Sequence, residues 1–315
     1  MVSSGGVGRR GLLIAGTGLL AGCSGSSDED QPSTSVASSP SGTPFASGPP
    51  SASGPPSAPG TSTTPSAPAS TPTVALPSVR AWVPGSGEIQ PEAKRVAVAA
   101  VVKLLQPSGT RAVVEVIDAQ YGGILSDTAS VLVPCRVSTI SGGRVVTGGT
   151  TVDVRLSRSR GSWRVTATHP AKPGTAAARL SAATRQVLVS ERIALPPASA
   201  ADIRSGQVHD SVLTTILQLA KTYRIGISVI RSGHPLDVFG TDRPSDHPRG
   251  RAFDTWQIDG HAVVAPGTSR SLVTSYMRAA ESLGSYNVGG PYQLSGAAFF
   301  SDQTHHDHVH AGFRT

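Results

Sequence analysis

The chain has 315 residues, with 27 Lys and Arg against 20 Asp and Glu, a formal charge of +7 and only 15% charged residues. That length allows two domains at most if every part of it folds. The positive charge is thinly spread and no aromatic residues interleave with arginine, which excludes the basic stacking surface of a nucleic-acid binder.

Residues 1–23 read as a leader. Arg9 and Arg10 precede an apolar run, residues 12–20, that is too short for the roughly 20 apolar residues needed to cross a bilayer. The run ends in Leu20-Ala21-Gly22-Cys23, which resembles the lipobox of bacterial lipoproteins. The resemblance implies cleavage before Cys23, lipidation of that cysteine, and a chain held to the extracytoplasmic face of a cell membrane through its N-terminal lipid. The paired arginines also fit a twin-arginine export signal. Residues 24–77 are almost wholly Ser, Pro, Thr, Gly and Ala. Such a tract cannot bury apolar surface and is expected to be a disordered tether.

Residues 78–175 predict a small α+β domain. A buried helix is expected over 91–105, with Pro91 in its first turn and Pro107 beyond its end. Only strand signals follow: 111–119, 129–140, 144–156 and 162–169, rich in Val and Thr, with hairpin turns at 141–143 and 158–161. Cys135 lies in the apolar run 131–137 and is expected to be a buried structural thiol. With Cys23 lipidated it would have no disulfide partner. Gly148-Gly149 suggests a bulge and not a phosphate loop, because no helix start follows. One helix before a curled antiparallel sheet that closes near Trp163 resembles the nuclear-transport-factor-2-like fold. The carboxylates here are scattered and the only histidine is His169, so a spacer or partner-binding role is expected.

Residues 178–315 predict a second α+β domain. Its signals are an amphipathic helix at 210–223 capped by Asp210, a strand at 225–230, a turn-rich loop, and a helix at 268–283 ending at Gly284. A last strand carries residues 305–313. Helices alternating with short strands place the whole chain in the α+β class.

The chemistry concentrates in this second domain, since every histidine but His169 lies after position 200. His247 and Asp254 can meet one ion if the chain turns sharply at the intervening Gly250. Residues two apart on a strand point to the same face, so the His308-Val309-His310 pair can supply a third ligand. Two histidines and one aspartate with an open fourth position follow the ligand logic of a catalytic zinc site. His209, His234 and His261 are expected to be structural, and His305 and His306 to sit at a rim.

The order Ser245-x-His247-x-x-Gly250-x-Ala252-x-Asp254, followed far downstream by His308-x-His310, resembles the signature of the zinc D-Ala-D-Ala carboxypeptidases. That family shares the hedgehog signalling-domain fold. The resemblance covers about residues 200–315 and implies Zn2+ bound by His247, Asp254 and His310. The substrate it implies is a D-amino-acid-containing peptide of peptidoglycan, cleaved by a carboxypeptidase or an endopeptidase. It also places a general base, usually Glu, three residues before the last ligand. Here that position is Asp307, one methylene shorter, with Asp302 or a hydrogen-bonding role as the competing assignments. Arg231 matches an arginine that pairs with substrate or oxyanion, and His308 would stand beside the ligands or on the oxyanion side. The contrasting expectation is a zinc-containing module that binds wall peptide or a partner without cleaving it.

Overall fold

The computed structural model describes residues 74–315, which belong to one compact unit, Ala69–Thr315. The leader, Cys23 and nearly all of the tether lie outside the described residues. Among the described residues no helix is long and apolar enough to cross a membrane. Helices and sheets are both present, as an α+β chain requires.

Helix α1 (Pro91–Leu105) starts with its proline in the first turn, where the missing N–H costs nothing. It lays Ala93, Ala97 and Val101 on a sheet made from β1 (Ala112–Val116), β2 (Gln120–Ile124), β3 (Thr128–Ser141), β4 (Arg144–Ser159) and β5 (Ser162–Pro170). The order is β1-β3-β4-β5, with β2 on the same edge of β3 as β1, and every pairing is antiparallel. Both expected hairpin turns form. Gly142 and Gly143 take φ of 55° and 71°, and Arg160 and Gly161 take 50° and 82°, the two left-handed residues of a tight hairpin. Cys135 is fully buried, and burial pushes its thiol up to about 12. Pairing runs unshifted through Gly148 and Gly149, so the bulge expected there is absent. It falls at Arg155/Leu156, with another at Tyr121/Gly123.

The C-terminal half adds α2 (Ala182–Val189), β6 (Ile193–Ala194), α3 (Pro197–Arg204), α4 (Asp210–Thr222), β7 (Ile225–Ile227), β8 (Ala252–Ile258), β9 (His261–Ala262), α5 (Arg270–Ser282), β10 (Asn287–Gly289), β11 (Phe299–Phe300) and β12 (Val309–Gly312). These strands form a second, mixed sheet in the order β11-β10-β12-β8-β7-β6, with β9 on β8. Helices α4 and α5 bury Ile216, Leu219, Tyr276 and Met277 against it. Asp210 is the first helical residue of α4, not its cap, and the N-cap is His209.

The two sheets have separate cores yet touch closely. Strand β2 carries two glycines at the seam. A Cβ on Gly123 would lie 2.1 Å from the Cβ of Phe239, so that strand residue is glycine to admit a neighbour, not to make a turn.

Candidate metal centre

His310 lies on β12 directly opposite Asp254 on the antiparallel neighbour β8, which brings their side chains together on one face of the sheet. His247 arrives from the loop before β8. That loop closes at Gly250, whose φ is 72° and where a Cβ would lie 2.0 Å from the carbonyl oxygen of Gln207. The sharp turn expected at Gly250 is therefore present, and no side chain fits there.

The three donor atoms converge. His247 Nε2 lies 3.1 Å from Asp254 Oδ1 and 3.1 Å from His310 Nδ1, and His310 Nδ1 lies 3.0 Å from Asp254 Oδ1. All three residues are buried. His247 donates Nδ1–H to the carbonyl oxygen of Ile230 at 2.8 Å, so its Nε2 presents a lone pair in the neutral ring. Burial lowers His310 to about 4, although the hydrogen bond and charge of Asp254 oppose it. Asp254 is held well below the usual carboxylate range; burial works against this, and the neighbouring His247, His308 and His310 prevail. A proton on His310 Nδ1 joins the ring to Asp254 as a hydrogen bond, and when that proton sits on Nε2 instead all three donors present lone pairs. A tetrahedral ion with ligand bonds of about 2.0–2.1 Å separates its donors by roughly 3.3 Å, so the residues fit a metal of zinc's size.

His234 belongs here too. Its ring stacks on His247 with centroids 4.1 Å apart, and His234, His247 and Asp254 form a group that could hold a metal ion. His234 Nδ1 donates to the carbonyl of Pro235 at 2.9 Å, which leaves Nε2 as a second lone pair in the neutral ring. Burial and His247 keep it uncharged. Sequence reasoning set His234 aside as structural. Its place at the end of the segment leading into the motif loop was the available signal.

These residues line a cavity of about 860 Å³ together with Tyr286, Phe300, His305 and His308. Strand β2 of the first sheet forms one of its walls, through residues 121–124. His305, expected at a rim, lines the cavity and is bound to Asp302 at 2.7 Å. His306 does not line it: its Nε2 reaches Glu88 at 3.2 Å on the other sheet's side.

Asp307 is placed differently from the expected base. It follows a single helical turn, Thr304–His306, and its two oxygens are taken. Oδ2 accepts from Lys94 Nζ at 2.6 Å and from the Tyr121 amide at 3.1 Å, and Oδ1 pairs with His308 Nδ1 at 2.6 Å. Asp307 is not among the cavity-lining residues, whereas His308 is. The turn does swing Asp307 off the regular strand face, but the buried ammonium of Lys94 draws it toward the first sheet. His308 is left with its Nε2 3.8 Å from Asp254 Oδ1. Burial lowers His308, but the carboxylates of Asp254 and Asp307 outweigh it and raise the ring to about 9.

Arg231 also faces elsewhere. Its guanidinium binds Asp202 at 3.3 Å and also Gln207, and it does not line the cavity. The buried Asp202 carboxylate claims the charge that a substrate would need.

Comparison of the chain with protein-family models, with curated proteins and with solved structures finds no match.

Proposed function

We propose that the chain is a zinc-dependent hydrolase of the cell envelope, acting on D-amino-acid-containing stem peptides of peptidoglycan. The observation that carries this reading is the meeting of His247 Nε2, Asp254 Oδ1 and His310 Nδ1 within 3.1 Å of one another at the wall of an open cavity. The substrate class comes from the resemblance of the 245–254 and 308–310 motifs to the zinc D-Ala-D-Ala carboxypeptidases. The export and anchoring that would bring the chain to such a substrate rest on the lipobox-like box at Cys23.

Zinc held by His247, Asp254 and His310 would supply Lewis-acid polarisation of a scissile carbonyl and of water. His308 supplies the proton chemistry. Its Nδ1–H is committed to Asp307, its Nε2 lies 3.8 Å from Asp254 Oδ1, and the residue lines the cavity. The Asp307 carboxylate, 2.6 Å from Nδ1, favours the protonated ring. That ring can stabilise a developing oxyanion or hand a proton to the leaving amine. Asp307, fixed by Lys94, keeps the His308 ring oriented and charged without touching substrate.

A second reading has its own observation. His234 stands beside His247 with a free lone pair, and a fourth protein ligand would close the site and make it a binding module. One experiment separates the two: digestion of defined muropeptides by purified protein, with and without chelator, beside a His308→Gln variant. The expected result is chelator-sensitive release of D-Ala or a peptide fragment. His308→Gln should lower turnover by about 10² to 10⁴-fold with metal retained. If fully metal-loaded protein releases nothing yet still pulls down wall peptide, the closed-site reading wins.

A further inference from the structure

The first sheet reaches into the metal centre through two consecutive residues of β2. Gln120 is fully buried, and its Nε2 donates to Asp254 Oδ2 at 2.6 Å. Its Oε1 accepts from the hydroxyl of Ser228, which lies beside the backbone that pairs with Asp254. The amide of the next residue, Tyr121, donates to Asp307. Asp254 thus has its oxygens divided between two halves of the molecule: Oδ1 faces His247 and His310, and Oδ2 faces Gln120. Reversing the Gln120 amide would set its carbonyl oxygen against the acceptor-only carboxylate, so Asp254 fixes the orientation and the Ser228 hydroxyl supports it by donating to Oε1.

We infer that the first sheet is a working part of the metal centre, with Gln120, supported by Ser228, acting as a positioning residue that occupies one oxygen of Asp254 and commits the other to the ion. This rests on the reading that His247, Asp254 and His310 hold a metal. Without the amide, Asp254 is free to turn its second oxygen onto the ion or to swing out of reach. Partners that orient a ligand from behind typically carry about 10 to 100-fold in metal affinity. The segment expected to be a spacer therefore tunes the centre from 134 residues away in sequence.

The test uses the full chain with Gln120→Met, which keeps length and volume but cannot donate, and Ser228→Ala, which removes the supporting hydroxyl. Zinc and cobalt affinities are read by competition with a chromophoric chelator, and the cobalt-loaded proteins by visible absorption. Gln120→Met should weaken metal binding about 10 to 100-fold, and Ser228→Ala should weaken it less. The cobalt bands should lose intensity in both as the second carboxylate oxygen joins the ion and the coordination number rises. A simple loss of packing would lower stability without changing those bands. Unchanged affinity and unchanged spectrum in either folded variant overturn the inference, and Ser228→Ala decides it alone if Gln120→Met does not fold. A wild-type chain that binds neither ion overturns the metal reading itself, and this inference with it.

Discussion

Two clusters of histidine and carboxylate lie close together in the molecule, joined through His308, the first rich in histidine and the second in carboxylate. One is His247, Asp254 and His310, joined by His234; the other is Glu88, His306 and Asp307. Both have the ligand types and spacing of a metal site. They differ in what lies among the donors. The second cluster has a cation of its own, because Lys94 Nζ binds both Glu88 and Asp307 and is fully buried. Among the described residues the first has no lysine or arginine bound to it, and the ring that stands nearest as a cation is His308, with Nε2 3.8 Å from Asp254 Oδ1. The ammonium of Lys94 already occupies the second cluster, and that is what removes it from candidacy as a metal site.

The widest separation between the two is expected in metal content. Asp254→Ala or His310→Ala should reduce zinc affinity by more than about 100-fold, since loss of a ligand exceeds the 10 to 100-fold of an outer partner. His306→Ala should leave it unchanged. Metal analysis after gel filtration of all three variants checks this, and equal loss in all three would erase the distinction.

The next largest effect concerns the cation. Lys94→Met strands Glu88 and Asp307 without their partner, and breaking a buried pair from one side typically costs about 3–5 kcal/mol. Chemical denaturation should register a loss of that order. A loss below about 1 kcal/mol would mean that the second cluster has no need of its ammonium.

The smallest effect sharpens the account of the same cluster. Asp118, beside Lys94, is pushed up to about 7, mainly by burial and then by the charges of Asp307 and Glu88, against the pull of Lys94. Between its ordinary value of 3.8 and about 7 the folded state keeps a proton that the unfolded state has released. Stability from this group is therefore full below pH 3.8 and is lost as pH rises through about 7. Asp118→Asn should melt higher than wild type at pH 8, with the gap closing toward pH 4. A gap that is constant across that range would remove Asp118 from the network.

Much of this was legible in the sequence, and what was missed has a common cause. Helix 91–105, both hairpin turns and the burial of Cys135 follow from local pattern, since proline placement, turn glycines and apolar alternation act within a few residues. The turn at Gly250 and the two-residue period of a strand brought His247, Asp254 and the 308–310 pair under suspicion, but His310 itself was singled out by the resemblance to the zinc D-Ala-D-Ala carboxypeptidases, because its pairing with Asp254 is not local. Helices α2 and α3 were not legible: α2 buries only Thr184 and Val187, and α3 opens Pro-Ala-Ser-Ala with no long apolar stripe. Strand β2, Gln-Tyr-Gly-Gly-Ile, falls in the unassigned stretch between the expected strands, and its two glycines make sense only with Phe239 seen against Gly123. The partners of Asp307 and Arg231 were hidden for the same reason. Lys94 lies 213 residues from Asp307, and no periodicity within one element reports which distant charge will claim a side chain.

The seam built on β2 also bears on the order in which the molecule assembles. The β3–β4–β5 hairpins join neighbours in sequence and can zip without waiting for the rest of the chain. The contacts Gln120 to Asp254 and Lys94 to Asp307 close loops of 134 and 213 residues, and non-local contacts of this kind are the slow ones. The contacts of Gln120 and Lys94 to the candidate site are therefore expected to form late in folding. On the metal reading, Gln120 would support Asp254 only once the two sheets are joined, so full affinity would belong to the assembled chain and not to the ligand segment alone.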